Sequence, residues 1–219
     1  MSRLEVGVET GAKKVFVWAV DWPGWCRGAR DRDAAMTALL AAAGRYAAVV
    51  RAAGLDLPSA ADDLELVVMD EVEGGAATDF GVPSVVAPSD RRPLTPADAQ
   101  RQAALVEAAW SVVDRVAAEV PAILRKGPRG GGRDRDALID HVLGADHAYA
   151  REMGIRLEPG SRDEPSKVLA ERTAVLAVLR QPSDGSPIAG RKWPPRYAAR
   201  RVAWHALDHA WEMQDRSDP

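Results

Sequence analysis

The chain has 219 residues, of which 47% are hydrophobic, and a formal net charge of -3 at pH 7. This length suits one large domain or two small ones, and the hydrophobic content is too high for a chain that is disordered throughout. The slightly negative charge argues against a general nucleic-acid-binding protein.

The sequence lacks the patterns of a secretion signal and of a membrane span. Charged residues such as Glu5, Glu9 and Lys13 interrupt every apolar run in residues 1–20, unlike a signal peptide. No stretch reaches the roughly 18 apolar residues that a membrane helix needs. The single cysteine, Cys26, cannot form an internal disulfide, which fits a reducing compartment. We therefore expect a cytoplasmic protein with no membrane partner.

Three strands are predicted near the start of the chain. Apolar residues alternate with polar or small ones over residues 4–9, which is typical of a half-buried strand. Residues 14–20 (KVFVWAV) predict a second strand, buried on both faces, and turn residues follow it. Residues 64–72 (LELVVMDEV) predict a third strand.

One helix is predicted between the second and third strands. Apolar residues recur every three or four positions over residues 31–53, and Gly54 stands where a helix C-cap is expected. Residues 1–72 are thus predicted to form a small α+β domain in the order β-β-α-β. Residues 73–94 are rich in Gly, Pro and Ser, which indicates a linker or a covering loop.

Residues 95–219 are predicted to form an all-α four-helix bundle. Thr95, Pro96 and Asp98 make a helix start signal, with a capping hydroxyl, a proline in the first turn and an acid at the third position. Amphipathic segments separated by loops favour a bundle. The predicted helices cover about residues 95–124, 134–153, 165–180 and 195–216.

All four histidines fall on two of these helices. His205 and His209 are four residues apart, which places their Cβ atoms roughly 5–6 Å apart on one helix face. Two imidazoles so placed can bind one metal ion, and three protein ligands with open positions are typical of a catalytic metal. His141 or His147 would supply the third ligand. They are six residues apart and cannot face the same point, and the small residues beside His141 favour it slightly.

Charged residues flank the histidines on the last predicted helix. Asp208 and Glu212 are candidates to orient a ligand imidazole or to accept a proton. Arg201 lies near the histidine stripe and is a candidate to bind an anionic substrate group, whereas Arg200 is expected on a solvated helix face. The only basic residues near Cys26 are Arg27 and Arg30, and it is expected to be a semi-exposed structural thiol.

Two segments resemble the DinB/YfiT-like superfamily of metal-binding proteins. Residues 137–146 (ALIDHVLGAD) resemble its second-helix motif, in which a histidine, a small apolar run and an acid contribute the first metal ligand. Residues 205–212 (HALDHAWE) resemble its last-helix HxxxHxxQ motif, with Glu212 in place of the glutamine. The resemblance implies three metal ligands: His141, His205 and His209.

The resemblance covers about residues 95–216 and implies a divalent ion, which would be zinc, nickel, iron or manganese. Members of the superfamily resemble thiol-dependent S-transferases, isomerases and metal-dependent hydrolases. This implies a small-molecule substrate and a low-molecular-weight thiol as a further cofactor, with a thiol or a water activated as the nucleophile. We therefore expect a metal-dependent transferase or hydrolase.

Residues 15–34 (VFVWAVDWPGWCRGARDRDA) resemble a segment of HicB antitoxins, with matches at Pro23, Gly24, Gly28 and Ala34. This resemblance implies the same β-β-α-β fold, which often serves as a protein-binding module. The alternative hypothesis is therefore a non-catalytic interaction protein. In that hypothesis the N-terminal domain binds a protein partner or a second copy of the chain, and the bundle is a scaffold.

Overall fold

The computed structural model describes residues 2–57, 64–127 and 131–217. A sheet with its own helices comes first and a mainly helical part follows, as predicted. In chain order, the elements within these ranges are β1 Ser2–Thr10, β2 Val15–Ala19, β3 Cys26–Ala29, α1 Arg32–Ala41, α2 Ala43–Ala52, β4 Leu64–Glu73, α3 Ala76–Phe80, α4 Pro96–Glu119, α5 Arg135–Glu152, α6 Pro165–Leu179 and α7 Pro195–Asp215.

The four strands form one mixed sheet in the order β3-β2-β1-β4. β1 pairs antiparallel with β2 and parallel with β4, and β2 pairs antiparallel with β3. A parallel pair needs a long crossover, which α1 and α2 provide. The three predicted strands are confirmed. The fourth, β3, escapes prediction because its residues (CRGA) are a short run without the β-branched side chains that favour strands.

Both faces of β1 are covered over most of its length, although the alternation predicts a half-buried strand. Its apolar side chains pack in the main core. On the other face Glu9 is fully buried and accepts hydrogen bonds from the Thr78 hydroxyl at 2.6 Å and from the amides of Ser84 and Val85 at 3.1 and 3.0 Å. These donors offset the cost of burying a carboxylate. The half-buried prediction is therefore wrong.

A bend of 49° at Ala42 divides the predicted helix over residues 31–53 into α1 and α2. The indole N–H of Trp25 donates a hydrogen bond to the Leu39 carbonyl oxygen at 2.8 Å. In a continuous helix this oxygen accepts from the backbone amide four residues later. The single-helix prediction is wrong because the donor that ends α1 comes from a distant side chain.

In the described ranges no single helix is long and apolar enough to cross a membrane; α1 and α2 pass that test only together, by length and composition alone.

The four long helices lie where the pattern predicts them. Thr95 caps α4 by accepting a hydrogen bond from the Asp98 amide at 3.1 Å. α4 ends at Glu119 rather than near residue 124, because Val120 precedes a proline and takes an extended conformation. α4 and α5 each contact both α6 and α7. Part of the predicted glycine-rich break, residues 128–130, lies outside the described residues.

One apolar core runs from the sheet into these helices. Its members include Val6 of β1, Leu39 of α1, Val113 of α4 and Leu207 of α7. A smaller cluster on the other face of the sheet joins β2 to α7, and includes Phe16, Trp18 and Trp204. Helix α7 therefore contacts both the sheet and the other long helices.

The segment between β4 and α4 lies against α7. Arg200 of α7 is 4% exposed, and its guanidinium donates to Asp90 at 2.5 and 3.1 Å and to the Val85 carbonyl at 3.0 Å. The expectation of a solvated Arg200 is wrong, because this segment supplies a buried carboxylate that pairs with it. The ion pair fixes residues 85–90 on the helix.

Replacing Asp90 with alanine is expected to destabilise the protein strongly. Both side chains of the pair are 4% exposed, so Asp90→Ala leaves a buried charge at Arg200 without its partner. We expect a loss of about 3–5 kcal/mol in the free energy of unfolding, measured by urea denaturation. In the control, Glu107→Ala removes one half of the exposed pair with Arg180 and should cost less than about 1 kcal/mol. Equal losses in the two variants would contradict the prediction.

Candidate metal centre

Three histidines converge between α5 and α7. One ring nitrogen from each of His141, His205 and His209 lies within 4.8 Å of the other two, close enough to hold one metal ion. The Nε2 atoms of His141 and His205 are 3.2 Å apart. Two nitrogen ligands at 2.0–2.1 Å from a tetrahedral ion are about 3.3 Å apart. The observed separation therefore matches two ligands of one ion.

Helix packing brings the three rings together. His205 and His209 lie one turn apart on α7, and His141 comes from α5, which packs against α7. Small side chains let α7 approach its neighbours closely. Five of its alanines are fully buried: Ala198, Ala199, Ala203, Ala206 and Ala210.

Burial keeps two of the rings neutral. His205 is 5% exposed, and burial lowers its pKa to about 2, with further lowering by the neighbouring His209 and His141. Burial, followed by the effect of His209, also lowers the pKa of His141. A neutral imidazole keeps a nitrogen lone pair, which is the form that binds a metal ion.

Glu212 fixes the orientation of the third ring. Its Oε2 lies 2.9 Å from Nδ1 of His209, and its Oε1 accepts a hydrogen bond from Arg216 at 2.6 Å. The hydrogen bond with His209 is the main cause of a lowered Glu212 pKa, so the carboxylate is charged and Nδ1 carries the proton. The lone pair of His209 is then on Nε2. A carboxylate behind a histidine is a common arrangement at metal sites.

Two other predicted site residues have different partners. Asp208 forms an ion pair with Arg27 of β3 at 3.5 Å. Nδ1 of His147 lies 2.5 Å from Oε2 of Glu171 on α6, and His147 is not part of the three-histidine cluster. Of the two histidines of α5, the structure brings His141 to His205 and His209.

Aromatic side chains surround His205, which the sequence pattern did not indicate. The rings of Tyr149 and Trp204 lie 5.7 and 6.0 Å from it, and Trp193 lies 5.3 Å from Tyr149. Arg201 lies over Tyr149 at 5.3 Å and over Trp204 at 4.9 Å, and it donates to the Pro83 carbonyl at 3.2 Å. Tyr149 follows His141 by two turns of α5, and that spacing is the signal that would have identified it.

Cys26 is buried rather than semi-exposed. It is 1% exposed, and burial raises its pKa to about 12. The prediction of partial exposure is wrong, because the Cys26 side chain on β3 packs in a cluster with Trp204 and Ala87. A thiol of this kind stays protonated near neutral pH and is a poor nucleophile.

Asp146 is a buried acid. In the sequence analysis it appeared only as the acid of the segment 137–146 and was not predicted to be a site residue. It is 5% exposed, and within the described ranges its carboxylate has no hydrogen bond of good geometry, although the Trp110 indole lies close enough to lower its pKa. Burial raises its pKa to about 7, against the opposing charge of Arg172. Burial therefore favours the protonated, uncharged form of this acid inside the helical part of the chain.

At least four cavities lie away from the histidines, and two of them are lined by residues of the helical part. One, of about 660 Å³, is formed by residues 177–195, and one, of about 350 Å³, lies between α5 and α6. The arginines that line the second, Arg162 and Arg172, are paired with Asp140 and Asp114. The histidine cluster therefore remains the stronger candidate for chemistry.

Comparisons with family models, curated proteins and solved structures found no match for this chain. The function of the site is therefore inferred from its own residues.

Asp146 is expected to make stability depend on pH. Because its folded pKa of about 7 exceeds its ordinary value of 3.8, the folded state binds the proton more tightly, and stability falls as pH rises between these values. The Asp146→Asn variant imitates the protonated acid and removes this dependence. Relative to the variant, the wild type should lose as much as about 4 kcal/mol between pH 4 and 8 in urea unfolding. As a control, Asp140→Asn changes an exposed acid of α5 and should keep the pH dependence of stability seen in the wild type. Parallel curves for the wild type and Asp146→Asn would show the prediction to be wrong.

Proposed function

We propose that α4 to α7 form a DinB-like four-helix bundle that binds one divalent metal ion on His141, His205 and His209. The protein uses this ion as a metal-dependent enzyme on a small molecule, in thiol-dependent S-transfer or hydrolysis. The observation that carries the proposal is the convergence of three ring nitrogens from two helices.

The chemistry of the three ligands supports a functional metal. Burial keeps His205 and His141 neutral, and Glu212 directs the lone pair of His209 away from itself. Three imidazoles leave at least one position of a four-coordinate ion free for another ligand. Burying imidazoles among apolar side chains also costs free energy, which a bound ion would offset.

The order of the motifs supports the DinB-like assignment. His141 lies on the second long helix and the HxxxHxxE segment on the last, as in that superfamily. A divalent ion bound there would supply Lewis acidity toward a thiol or a water. Glu212 and Arg216 would hold the His209 ring in place, and Tyr149 and Trp204 would exclude solvent from His205.

Metal content measured by mass spectrometry tests the ligand set. We expect about one equivalent of metal in the wild type after purification without chelators, and its loss in His141→Ala, His205→Ala and His209→Ala. The His147→Ala variant is the matched control, because this histidine of α5 pairs with Glu171 instead. It should keep its metal. Full occupancy in His205→Ala would refute the ligand assignment.

Turnover assays separate an enzyme from an interaction protein. The metal-loaded wild type would be tested with cysteine plus chlorodinitrobenzene and with nitrophenyl esters, and His205→Ala should lose any activity found. A wild type that holds its metal, turns over neither class of compound and instead forms a stable complex through residues 1–72 would favour the alternative interaction hypothesis.

Replacing Glu212 with glutamine is expected to weaken metal binding without abolishing it. The amide keeps the shape of the side chain but loses the charge that holds Nδ1–H of His209. We expect about a 10–100-fold loss of affinity, measured by competition with a chromogenic chelator. Asp208→Asn is the control, since Asp208 pairs with Arg27. An unchanged affinity in Glu212→Gln would mean that this carboxylate does not support the site.

A further inference from the structure

Arg201 differs from the other two arginines of α7. Arg196 is paired with Asp21 at 2.6 Å and Arg200 with Asp90 at 2.5 Å. Within the described part of the chain no carboxylate pairs with Arg201; its hydrogen bond to the Pro83 carbonyl, at 3.2 Å, leaves its charge uncompensated. A partly buried guanidinium without a counter-ion attracts an anion.

The guanidinium lies beside the proposed metal site. Arg201 precedes His205 by one turn of α7, so their Cβ atoms are roughly 5–6 Å apart. The Tyr149 ring bridges them, at 5.3 Å from the Arg201 guanidinium and 5.7 Å from the His205 ring. A small molecule that binds Arg201 is therefore within reach of the histidines.

The carboxylates beside the three histidines do not balance this charge. Glu212 is hydrogen-bonded to Arg216 and His209, and Asp208 is paired with Arg27. Imidazole ligands bring no negative charge, so a divalent ion would add to the positive charge of the site. An anionic ligand would balance the positive charge that the described residues leave at Arg201.

The neighbouring surface is aromatic. Tyr149 and Trp193 are partly exposed and their rings lie 5.3 Å apart, and Tyr149 also lies against the Arg201 guanidinium. We call this pair the aromatic wall. It offers an apolar face for a flat or hydrophobic group, while the planar fork of the guanidinium suits carboxylate, sulfonate or phosphate oxygens.

We propose that Arg201 selects the substrate of this site by binding an anionic group, with the apolar part of the same molecule packed on the aromatic wall and a further atom directed at the histidines. The inference rests on the proposed function, because it takes the three histidines as the reaction centre. The substrate class is therefore an organic anion with an aromatic or apolar body.

Calorimetric titration with matched small probes tests this inference. Benzoate and phenylphosphonate carry the expected charge, and benzamide is a neutral analogue of benzoate. In the wild type we expect the anions to bind about tenfold or more tightly than benzamide, in both metal-loaded and metal-depleted protein. In Arg201→Gln this preference should disappear while metal content and the circular dichroism spectrum stay unchanged. The Arg151→Gln variant removes the same charge from an exposed position of α5 and should keep the preference.

Two results would overturn the inference. One is a wild type that binds neither anion more tightly than benzamide, and the other is a folded Arg201→Gln protein with an unchanged preference. Should Arg201→Gln not fold, Arg201→Lys decides: a selective loss of benzoate affinity supports the inference, and equal affinity refutes it. Failure of the proposed function is distinguishable, because it appears as a wild type without metal, whereas the anion test also uses metal-depleted protein.

Discussion

Burial of α7 on almost every side is the constraint on which the rest of the structure depends. The sheet lies against it through Trp204, and α4 and α5 pack on its other sides. Polar side chains on the buried faces of this helix are removed from water, so partners within the fold offset the cost of burying them. Asp21 and Asp90 supply partners for Arg196 and Arg200, and these contacts hold the neighbouring loops against the helix.

The same constraint gives the histidines their chemical character. A ring removed from water loses its proton readily and offers a lone pair, and His205 is almost completely removed. His209 sits nearer the end of the helix, where Glu212 and Arg216 define its tautomer. Neutral donors, a supporting carboxylate and an uncompensated guanidinium thus arise from one helix and the elements packed around it.

Local patterns made much of this predictable. The spacing of His205 and His209, the cap at Thr95 and the alternation in β1 depend on residues close in sequence, and the structure has the corresponding elements. What the sequence could not indicate depends on distant partners. The indole of Trp25 divides a continuous helical pattern at Leu39, and Asp90 turns an apparently solvated Arg200 into a buried ion. No periodicity encodes such pairs, since the residues are 14 and 110 positions apart.

The stacking of β2 on α7 ties the stability of the helical part to the sheet. Phe16 meets Trp204 edge to face, and the guanidinium of Arg200 lies over Trp18. The Trp204 indole also lies 6.0 Å from the His205 ring, measured between ring centres. Helices separated from the sheet would leave these aromatic and cationic groups facing water, so the helical part depends on the sheet for its stability.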